Sequence, residues 1–146
     1  MIKLTDKNNR RVVVTGMGVV SSLGIGWEEF WKNLIAGKSG ISKISAFDTS
    51  QYDRHYAGEV KGFNANLFID KRKAILMGRS SQMAITASKL ALEDGKLILT
   101  EGIRSQTAVC VGMTMAEMGI LEGYHDGQFS KRNNVKKQIL AMFPSN

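Results

Sequence analysis

Six residues near the amino terminus have the spacing of a phosphate-binding glycine loop. Residues Gly16–Ser21 (GMGVVS) follow an apolar run and precede a helical pattern, the setting of a dinucleotide-binding turn. The third glycine of that fingerprint is absent because Ser21 occupies its position, and a related glycine pattern fails at Val20 and Ser22. The predicted helix also begins too late for its amino terminus to hold a pyrophosphate. The pattern therefore disfavours a nucleotide site without excluding one.

Cys110 is the only thiol of the chain and hence the only candidate cysteine nucleophile. It lies between Val109 and Val111 in a predicted buried strand, and apolar surroundings make a thiol unreactive. No histidine lies near it in the sequence to act as a base. We therefore expect Cys110 to be a small packing residue of the core.

The two histidines are the remaining candidates for metal binding or acid–base chemistry. His55 has Asp53 nearby and His125 precedes Asp126, and both pairs lie in polar, loop-like sequence. Zinc needs three or four convergent protein ligands, and the sequence offers no such cluster. We expect both to be ordinary surface histidines, and we predict no metal site, no cofactor and no catalytic residue within the chain.

The composition is that of a globular domain with a basic surface. The 146 residues are 43% hydrophobic and 23% charged, and the formal net charge is +7. The basic residues do not form one stripe with interleaved aromatics, so we expect no nucleic-acid partner. They cluster most in two stretches, Lys71–Lys73 and Lys131–Lys137. An acidic partner or a plain solvated surface explains them.

The sequence also bears on the compartment. No apolar run is long enough to span a bilayer, so we expect no membrane partner. The first residues are polar and basic without an apolar segment behind them, unlike a secretory signal. A single cysteine excludes an internal disulfide. We therefore expect a cytoplasmic protein.

The elements that must position these residues follow an α/β order. After a flexible leader (1–10), residues 11–146 read as one domain portion, with a mainly parallel sheet and packed helices. The apolar runs predict buried strands and the amphipathic segments predict helices that end near Gly37 and Gly95. An irregular excursion with one or two short strand pairings is expected over 38–70. The predicted strands are 11–20 and 107–112, and the predicted helices begin at Trp27, at Arg79 and at Ala116, with a weaker helical turn or two within 133–146.

Several short segments together match the pattern of a known enzyme family. They are 11–24 (RVVVTGMGVVSSLG), 31–41 (WKNLIAGKSGI), 47–52 (FDTSQY), 57–60 (AGEV), 81–95, 109–115 and 142–146 (MFPSN). These segments cover nearly all of the chain from about residue 10, and they are specific as a set although each alone is weak. The set resembles β-ketoacyl-acyl-carrier-protein synthases of the elongating type.

The resemblance implies the amino-terminal part of a thiolase-like fold, incomplete within this chain. It also implies a cytoplasmic enzyme of fatty-acid or polyketide synthesis that condenses an acyl thioester with malonyl on an acyl carrier protein. The expected partners are the acyl carrier protein and a second copy, or a complementary chain carrying the rest of the fold. The family's nucleophilic cysteine and catalytic histidines lie beyond Asn146, and neither Cys110 nor the histidines here match their motifs. We expect this chain alone to be inactive.

The turn at 112–117 (GMTMAE) resembles one that borders the family's acyl pocket, where glycine is more frequent. Met113 and Met115 are the candidate substrate-binding residues, and Met115 corresponds to a side chain that limits acyl length. Flexible methionines would adapt to different acyl chains, whereas ordinary core packing explains them equally well. A truncated form, half of a split enzyme and a non-catalytic remnant or scaffold subunit all stay open. An incomplete half-sheet would expose apolar surface, so we expect aggregation or dependence on a partner.

Overall fold

The computed structural model describes residues 11–113 and 117–123. Four α-helices lie within residues 11–113: α1 Trp27–Ile35, α2 Lys71–Ala74, α3 Arg79–Asp94 and α4 Glu101–Arg104. Residues 118–123 are also helical, and a 3-10 helix spans Ala65–Leu67. The predicted helix starts at Trp27 and Arg79 are thus confirmed. The leader and the carboxyl-terminal 133–146 lie outside the described residues.

Two small antiparallel hairpins form within the region before α2. Strands β1 Val20–Ser21 and β2 Gly24–Ile25 pair with Val20 opposite Ile25. Strands β3 Ser42–Lys43 and β4 Tyr56–Ala57 pair with Ser42 opposite Ala57. The second hairpin confirms the short pairing expected in the irregular excursion.

Helix α3 is the element on which the amino-terminal segment rests. A Cβ atom on Gly16 would lie 2.1 Å from the Ala91 carbonyl oxygen, and one on Gly18 would lie 1.9 Å from that of Ala87. The backbone N–H of Met17 donates to Asp94 Oδ2 at 2.8 Å. The alanine-rich face of α3 therefore packs closely, as expected, and the two glycines are required for that approach.

The buried core of the described residues is small and lies beside α3. Ala65, Ile69 and Ala74 form its centre, and half-buried apolar side chains surround them: Phe63, Phe68, Met77 and Ile85. Thr86 is fully buried in α3, where its hydroxyl donates to the carbonyl of Gln82 at 2.9 Å. That bond satisfies a polar group that would otherwise destabilise the core.

The two predicted buried strands do not form in this structure. Val12, Val13 and Val14 are 95%, 68% and 82% exposed, and the only strand pairs in the described part of the chain are the two hairpins. Val109 and Val111 are likewise exposed. A central strand of a parallel sheet needs a neighbour at each edge and a helix layer on each face. The prediction of strands at 11–20 and 107–112 is therefore wrong for the structure as it stands, apart from the two residues of β1.

The apolar face of α1 is also left uncovered. Gly37, at φ 66°, ends the helix region in the left-handed conformation, as predicted. Yet no residue of α1 is buried, and Trp31 and Ile35 are 54% and 67% exposed. No helix in the described ranges is long and apolar enough to cross a membrane.

Candidate functional site

Met113 lies at the end of the long described range and is 47% exposed. Met115, the other predicted substrate-binding residue, falls outside the described residues, as do Thr114 and Ala116. Helical structure over 118–123 follows, which confirms, for its described portion, the helix predicted to begin at Ala116. At that exposure Met113 is not packed in a core, and its role as a substrate-binding residue stays a prediction.

Glu117 connects this region to the start of α3. Its Oε1 accepts a hydrogen bond from the backbone N–H of Ser81 at 2.7 Å, and its side chain is only 8% exposed. Gly78, the residue before α3, provides no side-chain cap. A carboxylate from a residue distant in sequence thus satisfies a free N–H of the first turn and faces the positive end of the helix dipole.

The sequence analysis did not assign Glu117 a role. The only sequence feature that pointed to Glu117 was that the turn at 112–117 has fewer glycines than the turn it resembles. The sequence analysis considered only the methionines of that turn. Capping boxes are recognised from residues three apart, whereas Glu117 and Ser81 are separated by 36 positions. Only the folded chain brings the two residues together.

Cys110 is exposed, which corrects the expectation that it packs in the core. The expectation depended on a buried strand at 107–112, and that strand does not form. Thiol burial follows from the sheet around it, not from the apolar neighbours alone.

His55 makes two polar contacts with neighbouring residues of the β3–β4 region. Its Nδ1 lies 3.2 Å from the Thr49 hydroxyl, and its carbonyl oxygen accepts from the N–H of Ile44 at 2.8 Å. The ring is half-buried rather than fully on the surface, while Asp53 is exposed. Among the described residues no group of three or more histidine, cysteine or carboxylate side chains could hold a metal ion. His125 and Asp126 lie outside that range.

Two carboxylates, those of Glu59 and Asp48, stabilise the loop between β3 and β4. Glu59 accepts from the Ser45 hydroxyl at 2.8 Å, from the Ser45 N–H at 3.0 Å and from the Ala46 N–H at 2.9 Å. These hydrogen bonds, the Ser45 hydroxyl first, lower the pKa of Glu59. Asp48 has its pKa lowered in the same way by the N–H and hydroxyl of Ser50.

The basic cluster Lys71–Lys73 forms most of α2. Asp70 caps this short helix, with Oδ1 accepting from the Arg72 N–H at 2.9 Å. All three cationic side chains are exposed. The Gln82 amide donates to the carbonyls of Ala74 at 2.9 Å and Met77 at 3.2 Å, which ties α2 to α3. The second basic stretch, 131–137, lies outside the described part of the chain.

The glycine loop is used for packing. Gly16 and Gly18 face the backbone of α3, so a ligand has no space against them on that side. The following residues form β1 and β2, and α1 begins only at Trp27. The Glu29 side chain of α1 accepts a hydrogen bond from the N–H of Ile25 at 3.1 Å. This carboxylate therefore lies between the first turn of α1 and strand β2. This arrangement explains the glycines without a nucleotide.

A family model described as "Beta-ketoacyl synthase, N-terminal domain" matches residues 9–145. Among curated relatives, 3-oxoacyl-[acyl-carrier-protein] synthase 2 of Staphylococcus aureus (strain COL) is 39% identical over 117 residues, 80% of this chain and 28% of that protein. The protein of that name from Vibrio cholerae is 38% identical over 124 residues, 85% of this chain and 30% of that protein. The chain therefore spans less than a third of the length of these relatives.

Solved structures give the same fold. The structure described as the ishigamide ketosynthase/chain length factor aligns with a TM-score of 0.73 and 31% identity, covering 88% of this chain and 33% of that one. A β-ketoacyl synthase from Burkholderia phymatum aligns with a TM-score of 0.62 and 24% identity, with the same coverage. These likenesses confirm the predicted fold class, the amino-terminal part of a thiolase-like α/β fold.

Proposed function

Because this chain belongs to the β-ketoacyl synthase family, as its N-terminal domain, we propose that it forms part of a 3-oxoacyl-acyl-carrier-protein synthase. The enzyme would join an acyl thioester to malonyl on a carrier protein with loss of carbon dioxide, in fatty-acid or polyketide synthesis in the cytoplasm. The match of the family model over residues 9–145 carries this proposal. The domain supplies scaffold, one wall of the acyl pocket and a docking surface, and the chain alone is inactive.

The acyl-pocket wall is assigned to Met113 and Met115. Met113 is nearly half-exposed and lies four residues before the anchored Glu117, so its thioether is free to contact a ligand brought against it. A flexible, polarisable methionine adapts to acyl chains of different shape better than a branched side chain does. The support for Met115 is its place in the resembling turn.

We assign carrier-protein binding to the exposed cations of α2. Lys71, Arg72 and Lys73 lie in consecutive positions on a helix held in place by Asp70 and by Gln82. No ion pair with another described side chain occupies them. A fixed group of unpaired cations favours an acidic partner and increases its association rate.

We assign the uncovered apolar surfaces to contact with a second subunit. The valines at 12–14 and the apolar face of α1 expose more apolar surface than the isolated apolar residues of an ordinary protein surface do. A homodimer partner or a complementary chain with the rest of the fold would cover them.

The proposed condensing activity can be tested with a hybrid enzyme. The aligned segment of the S. aureus synthase is replaced by this chain, and product formation from acyl and malonyl carrier protein is followed by mass spectrometry. We expect condensation by the hybrid and none by the isolated chain. A soluble, folded hybrid that binds the carrier protein but forms no product would contradict the proposal.

A second candidate is a non-catalytic partner subunit. The likeness to the ketosynthase/chain length factor structure, at a TM-score of 0.73, favours it, because that description names a pair of subunits. Co-purification of the chain with a separate polypeptide that contains a nucleophilic cysteine would support this candidate. Condensation by a hybrid within one polypeptide would favour the first.

A further inference from the structure

We infer that Gln82 of α3 is a positioning residue for carrier-protein binding, because its amide holds α2 in the orientation at which the basic cluster meets an acidic partner. The inference rests on the proposed function, which assigns the carrier protein to α2, and it adds a neutral residue outside the cations. Its physical basis is a pair of hydrogen bonds from one side chain to the carboxyl-terminal end of α2 and to the turn that follows.

Helix α2 cannot fix its own place on the molecule. It has only four residues, and a helix this short is not stable in water without contacts from the rest of the protein. Its cap, Asp70, is the residue that directly precedes it, so the capping bonds stabilise the first turn without tying it to another helix. The position of α2 therefore depends on its contacts with α3 and with the small core.

Gln82 supplies a direct tie to α3. Its Nε2 donates to the carbonyl of Ala74, the last residue of α2, at 2.9 Å and to the carbonyl of Met77 at 3.2 Å. The Ala74 carbonyl also accepts from the N–H of Met77 at 3.1 Å, so the amide binds both ends of this turn. Gln82 is half-buried and Ala74 is 4% exposed, so water would replace a lost donor poorly.

The backbone that Gln82 binds is the one that carries the basic cluster. Ala74 directly follows Lys73, and the N–H of Leu76 within the turn donates to the Lys73 carbonyl at 3.1 Å. Consecutive residues of a helix point about 100° apart, so a formed α2 fixes the directions in which its three exposed cations project. A partner then does not have to order these charges when it binds, which favours affinity.

Gln82 also allows a cleaner test than the other ties between α3 and this region. The Lys89 ammonium of α3 donates to the carbonyl of Phe68, on the amino-terminal side of α2. Removal of Lys89 would change the net charge as well as the contact. Gln82 is uncharged, so its substitution changes the position of α2 and leaves the charges of the protein as they are.

The experiment compares Gln82→Met with the matched control Gln106→Met, in the protein purified with any chain that accompanies it. Methionine keeps the unbranched stem of glutamine and removes its N–H donors. Gln106 is exposed and lies after α4. The first readout is the hydrogen-exchange rate of the Ala74 and Ile75 amides, which donate to carbonyls one turn earlier.

We expect Q82M to accelerate this exchange at least about fivefold, which corresponds to about 1 kcal/mol, and Q106M to leave it unchanged. Equal exchange in wild type and Q82M would overturn the inference, since the amide would then not hold α2.

The second readout is the Kd for acyl carrier protein at low ionic strength, measured by fluorescence anisotropy with and without the charge reversal Lys71→Glu/Lys73→Glu. We expect Q82M to raise the Kd at least about threefold when the cations are present and less than about 1.5-fold when they are reversed, because Gln82 acts through them. A general loss of stability would change both values equally.

Two results would overturn the positioning role: an equal change of Kd in both charge backgrounds, or faster exchange with an unchanged Kd. A different result would contradict the proposed function itself. If Q82M accelerates exchange but the wild-type protein does not bind the carrier protein, the tie between Gln82 and α2 exists and the docking surface does not.

Discussion

The backbone of Gly18 contacts α3 so closely that a Cβ atom on it would lie 1.9 Å from the carbonyl oxygen of Ala87. Gly16 makes the equivalent approach at Ala91, one turn further along the helix. The glycine loop therefore joins the amino-terminal segment to α3, the longest helix of the described residues. Because the obstructing atoms belong to the helix backbone, no side-chain movement can relieve a substitution.

Gly18→Ala should destabilise the protein. Over-packing against a backbone that cannot yield costs about 1–3 kcal/mol or more, so we expect a clear fall in the thermal unfolding midpoint. Gly102→Ala is the control, since nothing lies within 4 Å of a Cβ atom there and the site is in α4. The control should be neutral or slightly stabilising because alanine favours a helix. Equal melting of the Gly18 variant and wild type would refute the close contact.

Protonation of Glu59 should loosen the 45–46 loop at acidic pH. Its hydrogen bonds to Ser45 and Ala46 hold its pKa below the ordinary value of 4.5. A lowered folded-state pKa means that the stabilisation is complete above the ordinary value and is lost as the pH falls through the folded-state value. The amide resonances of Ser45 and Ala46 should therefore titrate with a midpoint below 4.5.

Glu59→Gln is the control for that titration. The variant should show no acid transition at the two amides, because its side chain does not ionise. A wild-type midpoint at or above 4.5 would show that the hydrogen bonds do not favour the carboxylate.

Charge reversal on α2 should weaken carrier-protein binding. The double variant Lys71→Glu/Lys73→Glu changes two exposed cations, and we expect the Kd for acyl carrier protein to rise at least about tenfold, a change of about 1.4 kcal/mol. The wild-type affinity should also fall with added salt. The matched control Lys38→Glu/Lys61→Glu makes the same change of net charge on exposed loops. An equal effect of both pairs, measured by fluorescence anisotropy, would show that net charge and not α2 recognises the carrier.

The isolated chain should aggregate or associate with a partner. Trp31 and Ile35 of α1 are exposed together with the valines of 12–14, so apolar surface is available for intermolecular contact. Trp31→Gln/Ile35→Gln should increase the monomer fraction in size-exclusion chromatography, whereas the control Lys32→Gln on the same helix should not. A wild-type chain that elutes as a monomer and melts cooperatively would contradict this prediction.

The sequence by itself determined the elements whose signals are local. The amphipathic period beginning at Trp27, the alanine spacing that ends at Gly95 and the left-handed turn at Gly37 each depend on residues within a few positions of one another. The motif set also determined the family, because a series of short matches along the chain is specific when each alone is not. The fold class followed from that resemblance.

The tertiary structure decided the features that depend on distant partners. Val12 and Cys110 have the neighbours of buried strands, yet both are exposed, since a strand is buried only when other strands and helices cover it. Glu117 has no local signal, yet it meets Ser81 and fits beside Gly78. Composition and periodicity encode what a segment prefers, whereas hydrogen-bond partners and burial depend on which segments the chain brings together.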